Sequence, residues 1–96
     1  LEMTPHNVRL LRLYGDVLCE QETYDVALEK YMRALEIEPQ NMRLIIGASR
    51  TLILLGRFKE SYETAQRARE IEPGNLEIAE ILGRLSQIDY RLPRLS

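Results

Sequence analysis

Apolar residues recur along this chain at spacings of three and four, which is the pattern of helices with one buried face. Polar or helix-breaking segments interrupt the pattern at residues 21–22, 39–41, 56–57 and 73–74. No segment alternates apolar and polar residues as a strand would, so the pattern predicts an all-α fold of about five helices. Helix by helix, the apolar positions are Val8, Leu11, Tyr14, Val17 and Leu18; Tyr24, Ala27, Leu28, Tyr31, Ala34 and Leu35; Leu44, Ile45, Ala48, Leu52 and Leu55; Phe58, Tyr62, Ala65, Ala68 and Ile71; and Ile78, Ala79, Leu82, Gly83, Leu85 and Ile88.

The helical pattern repeats with a period of 34 residues. Residues 8–41 and 42–75 align without a gap, are identical in 11 of 34 columns, and close with the same Glu-Ile-Glu-Pro, at Pro39 and at Pro73. A fixed period of this length is typical of a solenoid, in which each unit buries its apolar face on its neighbour. The repeat therefore favours a binding module over a catalyst.

A third copy begins at residue 76 and would end its first helix before Pro93. We therefore expect one domain over residues 1–96, with repeats at 8–41 and 42–75 and a partial repeat or capping helix at 76–92. The last helix has more apolar residues than one helical face needs. That surplus suggests a fragment of a longer array, or self-association through the terminal helix.

The alternation of small and large residues within each unit resembles the tetratricopeptide repeat. The second unit departs from that pattern, with Ser49 in place of glycine and Ala65 in place of an aromatic residue. The resemblance implies a right-handed superhelical stack of helix-turn-helix repeats, whose first helices line a concave groove for a peptide or helix of a partner. In the first unit the matching residues are Leu11, Tyr14, Gly15, Ala27, Tyr31, Ala34 and Pro39.

The groove implied by this resemblance is rich in arginine. Arginine forks suit carboxylates, and two isoleucines could accept apolar side chains, so we expect a protein or peptide partner of acidic character. In the alternative, the arginines are solvated or pair internally, Arg9 with Asp16 and Arg84 with Glu80, and the groove is empty. The predicted groove residues are Arg9, Arg12, Asp16, Arg43, Ile46, Arg50, Ile53 and Arg84.

Composition narrows the partners further. The 96 residues are 45% hydrophobic and 29% charged with a net charge of −2, so no global field favours nucleic acid or an anionic membrane. The longest apolar stretch, residues 44–56, is too short and too charged for membrane insertion. A single cysteine, Cys19, excludes an internal disulfide and favours a reducing compartment, so we expect a cytoplasmic protein.

No catalytic constellation is visible in the sequence. His6 is the only histidine, Cys19 has no second thiol, and there is neither a glycine-rich phosphate loop nor metal-ligand spacing. We therefore expect no enzyme activity, no metal site and no cofactor. Two further roles stay open: a structural or self-associating repeat segment, and a regulatory appendage of an enzyme in a longer chain.

Overall fold

The computed structural model describes residues 7–88, and these form five α-helices without a strand. The all-α fold expected from the sequence is confirmed. Residues 89–92, where the partial third repeat was expected to end, lie outside the described range, as do His6 and the residues before it. The helices are α1 Val8–Glu20, α2 Tyr24–Ile37, α3 Met42–Leu54, α4 Phe58–Ile71 and α5 Leu76–Ile88.

Asparagine caps the first helix of every unit. The side chains of Asn7, Asn41 and Asn75 each accept a hydrogen bond from a backbone N–H three residues further on, at 3.0 to 3.2 Å. These bonds satisfy N–H groups that have no partner within the helix. The first helices of the three units therefore start at equivalent places.

The turn inside each hairpin uses a left-handed residue at the same repeat position. Gly56 has a φ of 77°, and Glu22, which lies 34 residues earlier, has a φ of 61°. Glycine adopts this conformation without steric penalty, whereas a side chain with a Cβ is strained there. The first hairpin therefore closes at some conformational cost that the second avoids.

Helix α3 lies at the centre of the stack and contributes to two hydrophobic clusters. One cluster joins α1, α2 and α3, and the other joins α3, α4 and α5. Ala34 and Ala68, which occupy the same repeat position, are both fully buried. Small side chains at these places let the helices approach closely.

The apolar residues of α1 do not form one buried face, contrary to the sequence expectation. Leu11 is buried and Val8 and Leu18 are half-buried, but Tyr14 and Val17 are 54% and 48% exposed. The second pair is therefore largely exposed, although Nζ of Lys30 in α2 lies 6.0 Å from the centroid of the Tyr14 ring. The apolar residues that the spacing pattern grouped together therefore belong to two different faces of α1, one buried and one exposed.

The apolar surplus of α5 is mostly used inside the stack. Ile78, Ile81, Leu82 and Leu85 are all buried against α3 and α4, and Ile88 is 44% exposed. The four buried residues thus need no second neighbour to explain them. Leu76 is 83% exposed, and self-association through this helix stays a prediction.

The five helices are short compared with the thickness of a lipid bilayer. Each helix has 13 or 14 residues, and spanning a bilayer takes about 20. Within residues 7–88, no helix has the length and hydrophobicity that crossing a membrane requires.

Candidate functional site: the groove of the first helices

Helices α1, α3 and α5 form one face with two adjoining depressions, which we call the groove. The depression between α1 and α3 has a volume of about 440 Å³, and the one between α3 and α5 about 280 Å³. Arg50 and Leu54 of α3 line both. The first is also lined by Arg12, Asp16, Cys19, Tyr31, Arg43, Ile46, Gly47, Thr51 and Glu77, and the second by Ile53, Glu80, Ile81 and Arg84.

Seven of the eight residues predicted for the site line this groove, and one does not. The exception is Arg9, which lies on α1 away from both depressions. Its position near the start of α1 places it on the flank of the exposed apolar side of that helix. The residues brought together are Arg12, Asp16, Arg43, Ile46, Arg50, Ile53 and Arg84.

Two of the groove arginines make internal ion pairs. Nη1 of Arg12 lies 3.2 Å from Oδ2 of Asp16, and Nη2 of Arg50 lies 3.2 Å from Oε2 of Glu77. The alternative pairs suggested by the sequence, Arg9 with Asp16 and Arg84 with Glu80, do not form. Two groove arginines therefore do form ion pairs within the chain, but their partners differ from those suggested by the sequence.

The remaining charge of the groove is small and positive. Among residues 7–88, four arginines and three carboxylates line it, which leaves one net positive charge from this part of the chain. Within residues 7–88, Arg43 and Arg84 make no ion pair. Any attraction for an acidic partner must therefore come mainly from these two side chains.

Tyr31 of α2 forms the floor of the groove between α1 and α3. A Cβ placed on Gly15 would lie 2.7 Å from its ring, and one on Gly47 would lie 2.9 Å away, so the ring is enclosed by the two glycines. Its hydroxyl donates a hydrogen bond of 2.5 Å to Oδ1 of Asp16. Burial, with a further contribution from this hydrogen bond, raises the pKa of Tyr31, so the hydroxyl remains a donor at neutral pH.

The Cys19 thiol of α1 contacts the hydroxyl of Thr51 in α3. Thr51 Oγ1 donates to the carbonyl of Gly47 at 2.7 Å, which uses its only proton. The Cys19 thiol, 3.3 Å from the same oxygen, must then be the donor in their contact. The thiol proton is thus engaged in joining α1 to α3.

The sequence analysis assigned the groove to the first helices and named neither Tyr31 nor Thr51 among its residues. Tyr31 belongs to a second helix, and Thr51 is 1% exposed. The signal for Tyr31 was available, since Gly15 and Gly47 are small residues facing a large aromatic one. No comparable signal marked Thr51.

The apolar part of the groove is provided by Leu54 more than by the predicted isoleucines. Leu54 is 56% exposed, whereas Ile46 is only 8% exposed and belongs to the hydrophobic core. Ile53 is partly buried against the same core. A ligand side chain would therefore contact Leu54 first, with Ile53 beside it.

The arrangement is suited to binding. Within residues 7–88, no three His, Cys, Asp or Glu side chains gather in a group that could hold a metal ion. The groove offers two arginines that make no ion pair with the described residues, one exposed leucine, and a floor formed by the Tyr31 ring.

Comparison with known families agrees with this architecture. The family model described as "Tetratricopeptide repeat" matches residues 18–85, well over half of the chain. The chain belongs to the tetratricopeptide repeat family. Such repeats are generally protein-interaction modules, and members of the family are typically non-enzymatic scaffolds.

A solved structure supports the same fold. The structure "MamA R50E mutant" superimposes with a TM-score of 0.78 at 21% sequence identity, over 91% of this chain and 64% of that chain. Similarity at this level of identity shows a common fold and nothing further about partners. This tetratricopeptide repeat chain spans about 64% of the length of that protein. A search of curated proteins returns no match.

Proposed function

We propose that the groove binds a segment of a partner protein that carries a carboxylate and, a few residues away, a large apolar side chain. The observation that carries this proposal is the placement of Arg43 and Leu54. Both are exposed, both line the depression between α1 and α3, and they lie near opposite ends of α3. Arg43 offers a cation that has no ion pair among residues 7–88, and Leu54 offers apolar surface.

The spacing of the two groups defines the ligand. Arg43 and Leu54 are eleven residues apart on one helix, which corresponds to about 16 Å at 1.5 Å per residue. An extended peptide advances about 3.3 Å per residue, so about five residues cover that distance. A suitable ligand therefore has an acidic residue or a C-terminal carboxylate about five positions from a leucine or similar side chain.

The affinity should be modest and dependent on salt. An exposed charge pair contributes about 0–1 kcal/mol, while burying one large apolar side chain contributes about 1.5–3 kcal/mol. Most of the affinity must then come from the contact with Leu54, and Arg43 would set the orientation of the ligand. Raising the ionic strength weakens only the second contribution.

Fluorescence anisotropy with a labelled extended peptide tests this. The probe has one glutamate and one leucine about five positions apart, and the control peptide has the same composition with the two residues adjacent. We expect Arg43→Glu and Leu54→Ala each to weaken binding of the probe. The matched control is Arg67→Glu, because Arg67 is an exposed arginine of α4 that lines a separate depression between α2 and α4.

Arg50→Glu would be a poorer test than Arg43→Glu, since it also breaks the ion pair with Glu77. If Arg43→Glu and Arg67→Glu have equal effects, or if both peptides bind equally, the proposed groove function is wrong. A structural role for the repeat would then be favoured, because the Arg12–Asp16 and Arg50–Glu77 pairs already neutralise much of the groove from within.

A further inference from the structure

Helix α1 exposes a continuous apolar stripe on the side that faces away from the stack. Leu10, Leu13, Tyr14 and Val17 are 41% to 54% exposed. Spacings of three, four and seven place all four on one face of the helix. We call these four residues the α1 stripe. Contiguous exposed patches of large apolar residues mark interaction sites far more often than scattered ones do.

In the other two first helices, α3 and α5, the positions equivalent to the α1 stripe are mostly buried. The same repeat positions in α3 and α5 lie 34 and 68 residues later in the chain, and nearly all of them are buried by the neighbouring unit. In α3 and α5 the preceding unit buries this face, and the structure describes no helix before α1 that could cover it there. The equivalent buried residues are Leu44, Ala48 and Thr51 in α3, and Ile78, Ile81, Leu82 and Leu85 in α5.

The charges beside the stripe have an unusual order. Arg9 lies in the first turn of α1 and Glu20 is its last residue, and the first turn has no acidic residue while the last turn has no basic one. Both charges therefore oppose the helix dipole, which favours acids at the N-terminus and bases at the C-terminus. Both side chains are exposed, and neither makes an ion pair within residues 7–88.

The positions of Arg9 and Glu20 relative to the α1 stripe suit an antiparallel contact between two copies of α1. At 100° per residue, Arg9 and Glu20 lie on the same flank of the α1 stripe. When two identical helices pack antiparallel about a two-fold axis, equal flanks face each other. Arg9 of one helix then lies beside Glu20 of the other, twice per contact, and each charge also meets the favourable end of the opposing dipole.

We propose that a second copy of this chain packs on the α1 stripe, with the two α1 helices antiparallel and Leu13 and Tyr14 near the two-fold axis. The contact surface is essentially one helix face, and interfaces smaller than about 1,200 Å² in total are weak and transient. The dimer therefore forms and dissociates with concentration. It leaves the groove open, because none of the stripe residues lines it.

Sedimentation equilibrium over a range of concentrations, on the chain as it stands and on charge variants, tests the proposal. Arg9→Glu and Glu20→Arg each turn two attractive contacts into two repulsive ones, and an exposed pair changes an equilibrium constant by up to about fivefold. We expect each single variant to raise the dimer dissociation constant about tenfold or more. The double variant Arg9→Glu/Glu20→Arg restores opposite signs and should recover dimerisation.

These variants separate loss of contact from loss of folding. Each single change places the dipole-preferred charge at its end of α1, so the isolated helix gains stability as dimerisation is lost. Circular dichroism should therefore show unchanged or higher helix stability. A Val17→Asp variant, which places a charge within the stripe at an exposed position, should be monomeric and folded.

Three outcomes would overturn the proposal. The chain could sediment as a monomer at every concentration, the double variant could dimerise no better than the singles, or a longer chain with further helices before residue 7 could bury the stripe within one molecule. The last result would assign the face to a preceding helix instead. None of these outcomes bears on peptide binding in the groove, which is measured with different variants.

Discussion

The hydroxyl of Tyr31 donates a 2.5 Å hydrogen bond to Oδ1 of Asp16. The other carboxylate oxygen of Asp16 lies 3.2 Å from Arg12. A core aromatic residue of α2 therefore fixes an acidic residue of the groove, and that residue in turn engages an arginine that would otherwise be available to a ligand. The charge of the groove is thus set partly by the packing beneath it.

Tyr31→Phe should destabilise the fold clearly. The substitution removes a hydrogen bond to a charged group, which contributes about 1.5–3 kcal/mol. The ring and its contacts with the glycines remain, so a cavity is not the cause. Urea unfolding followed by circular dichroism measures the change. Tyr62→Phe is the control, because the buried Tyr62 of α4 bonds to the neutral amide of Gln66 and should lose about 1 kcal/mol or less. Equal losses in the two variants would contradict the special role of Asp16.

Gly15→Ala should destabilise the protein even though alanine is the better helix former. The added Cβ would lie 2.7 Å from the Tyr31 ring, and the ring cannot retreat because Gly47 encloses it on the other side. Overpacking of this kind costs about 1–3 kcal/mol, which exceeds the gain of about 1 kcal/mol in helix propensity. Thermal unfolding provides the comparison.

Gly83→Ala is the matched control for that experiment. Gly83 occupies the same repeat position in α5, but among residues 7–88 a Cβ there has no neighbour from another helix within 4 Å. The propensity gain should then appear alone, as a stabilisation of about 0.5–1 kcal/mol. If both substitutions shift the melting temperature in the same direction, the enclosure of Tyr31 is not the deciding factor.

Much of the fold was predictable because the same helix pattern occurs in two aligned copies, residues 8–41 and 42–75. The period of 34 residues, the two prolines and the recurring alanines each indicate the same helix boundaries, and one copy checks the other. The groove was assigned to the first helices through the resemblance to the tetratricopeptide repeat. Ala34 and Ala68 were expected to be buried, and both are.

Two features could not be predicted, each for a physical reason. Apolar spacing shows which residues share a side of a helix, but not whether a neighbour covers that side, so the exposure of Tyr14 was missed. The choice of ion pairs depends on local geometry: Asp16 is positioned by Tyr31 and pairs with Arg12, four residues earlier on the same helix, rather than with Arg9. Neither relationship is visible in a one-dimensional pattern.

Glu22→Gly should stabilise the first hairpin. Glu22 has a φ of 61°, whereas its repeat equivalent is Gly56 with a φ of 77°. A left-handed residue with a Cβ costs roughly 1–2 kcal/mol, a strain that glycine removes. Greater freedom of glycine in the unfolded chain offsets part of the gain, so we expect a net stabilisation of about 0.5–1 kcal/mol. Urea unfolding of Gly56→Ala should show the opposite sign, and a destabilised Glu22→Gly would refute the assigned strain.

The stability of the protein should fall at alkaline pH through Tyr31. An unfolded tyrosine loses its proton near its ordinary pKa of about 10, whereas burial and the hydrogen bond to Asp16 keep the pKa of Tyr31 higher in the folded state. Above about pH 10 the unfolded state therefore binds fewer protons than the folded state, so the free energy of unfolding falls as pH rises. Below that pH both states are protonated, and Tyr31 contributes no dependence. Urea unfolding at intervals between about pH 9 and pH 11 should give a steeper decline for the natural chain than for Tyr31→Phe, with groups other than Tyr31 cancelling in the comparison. Parallel declines would mean that Tyr31 ionises as readily in the folded protein as in the unfolded one.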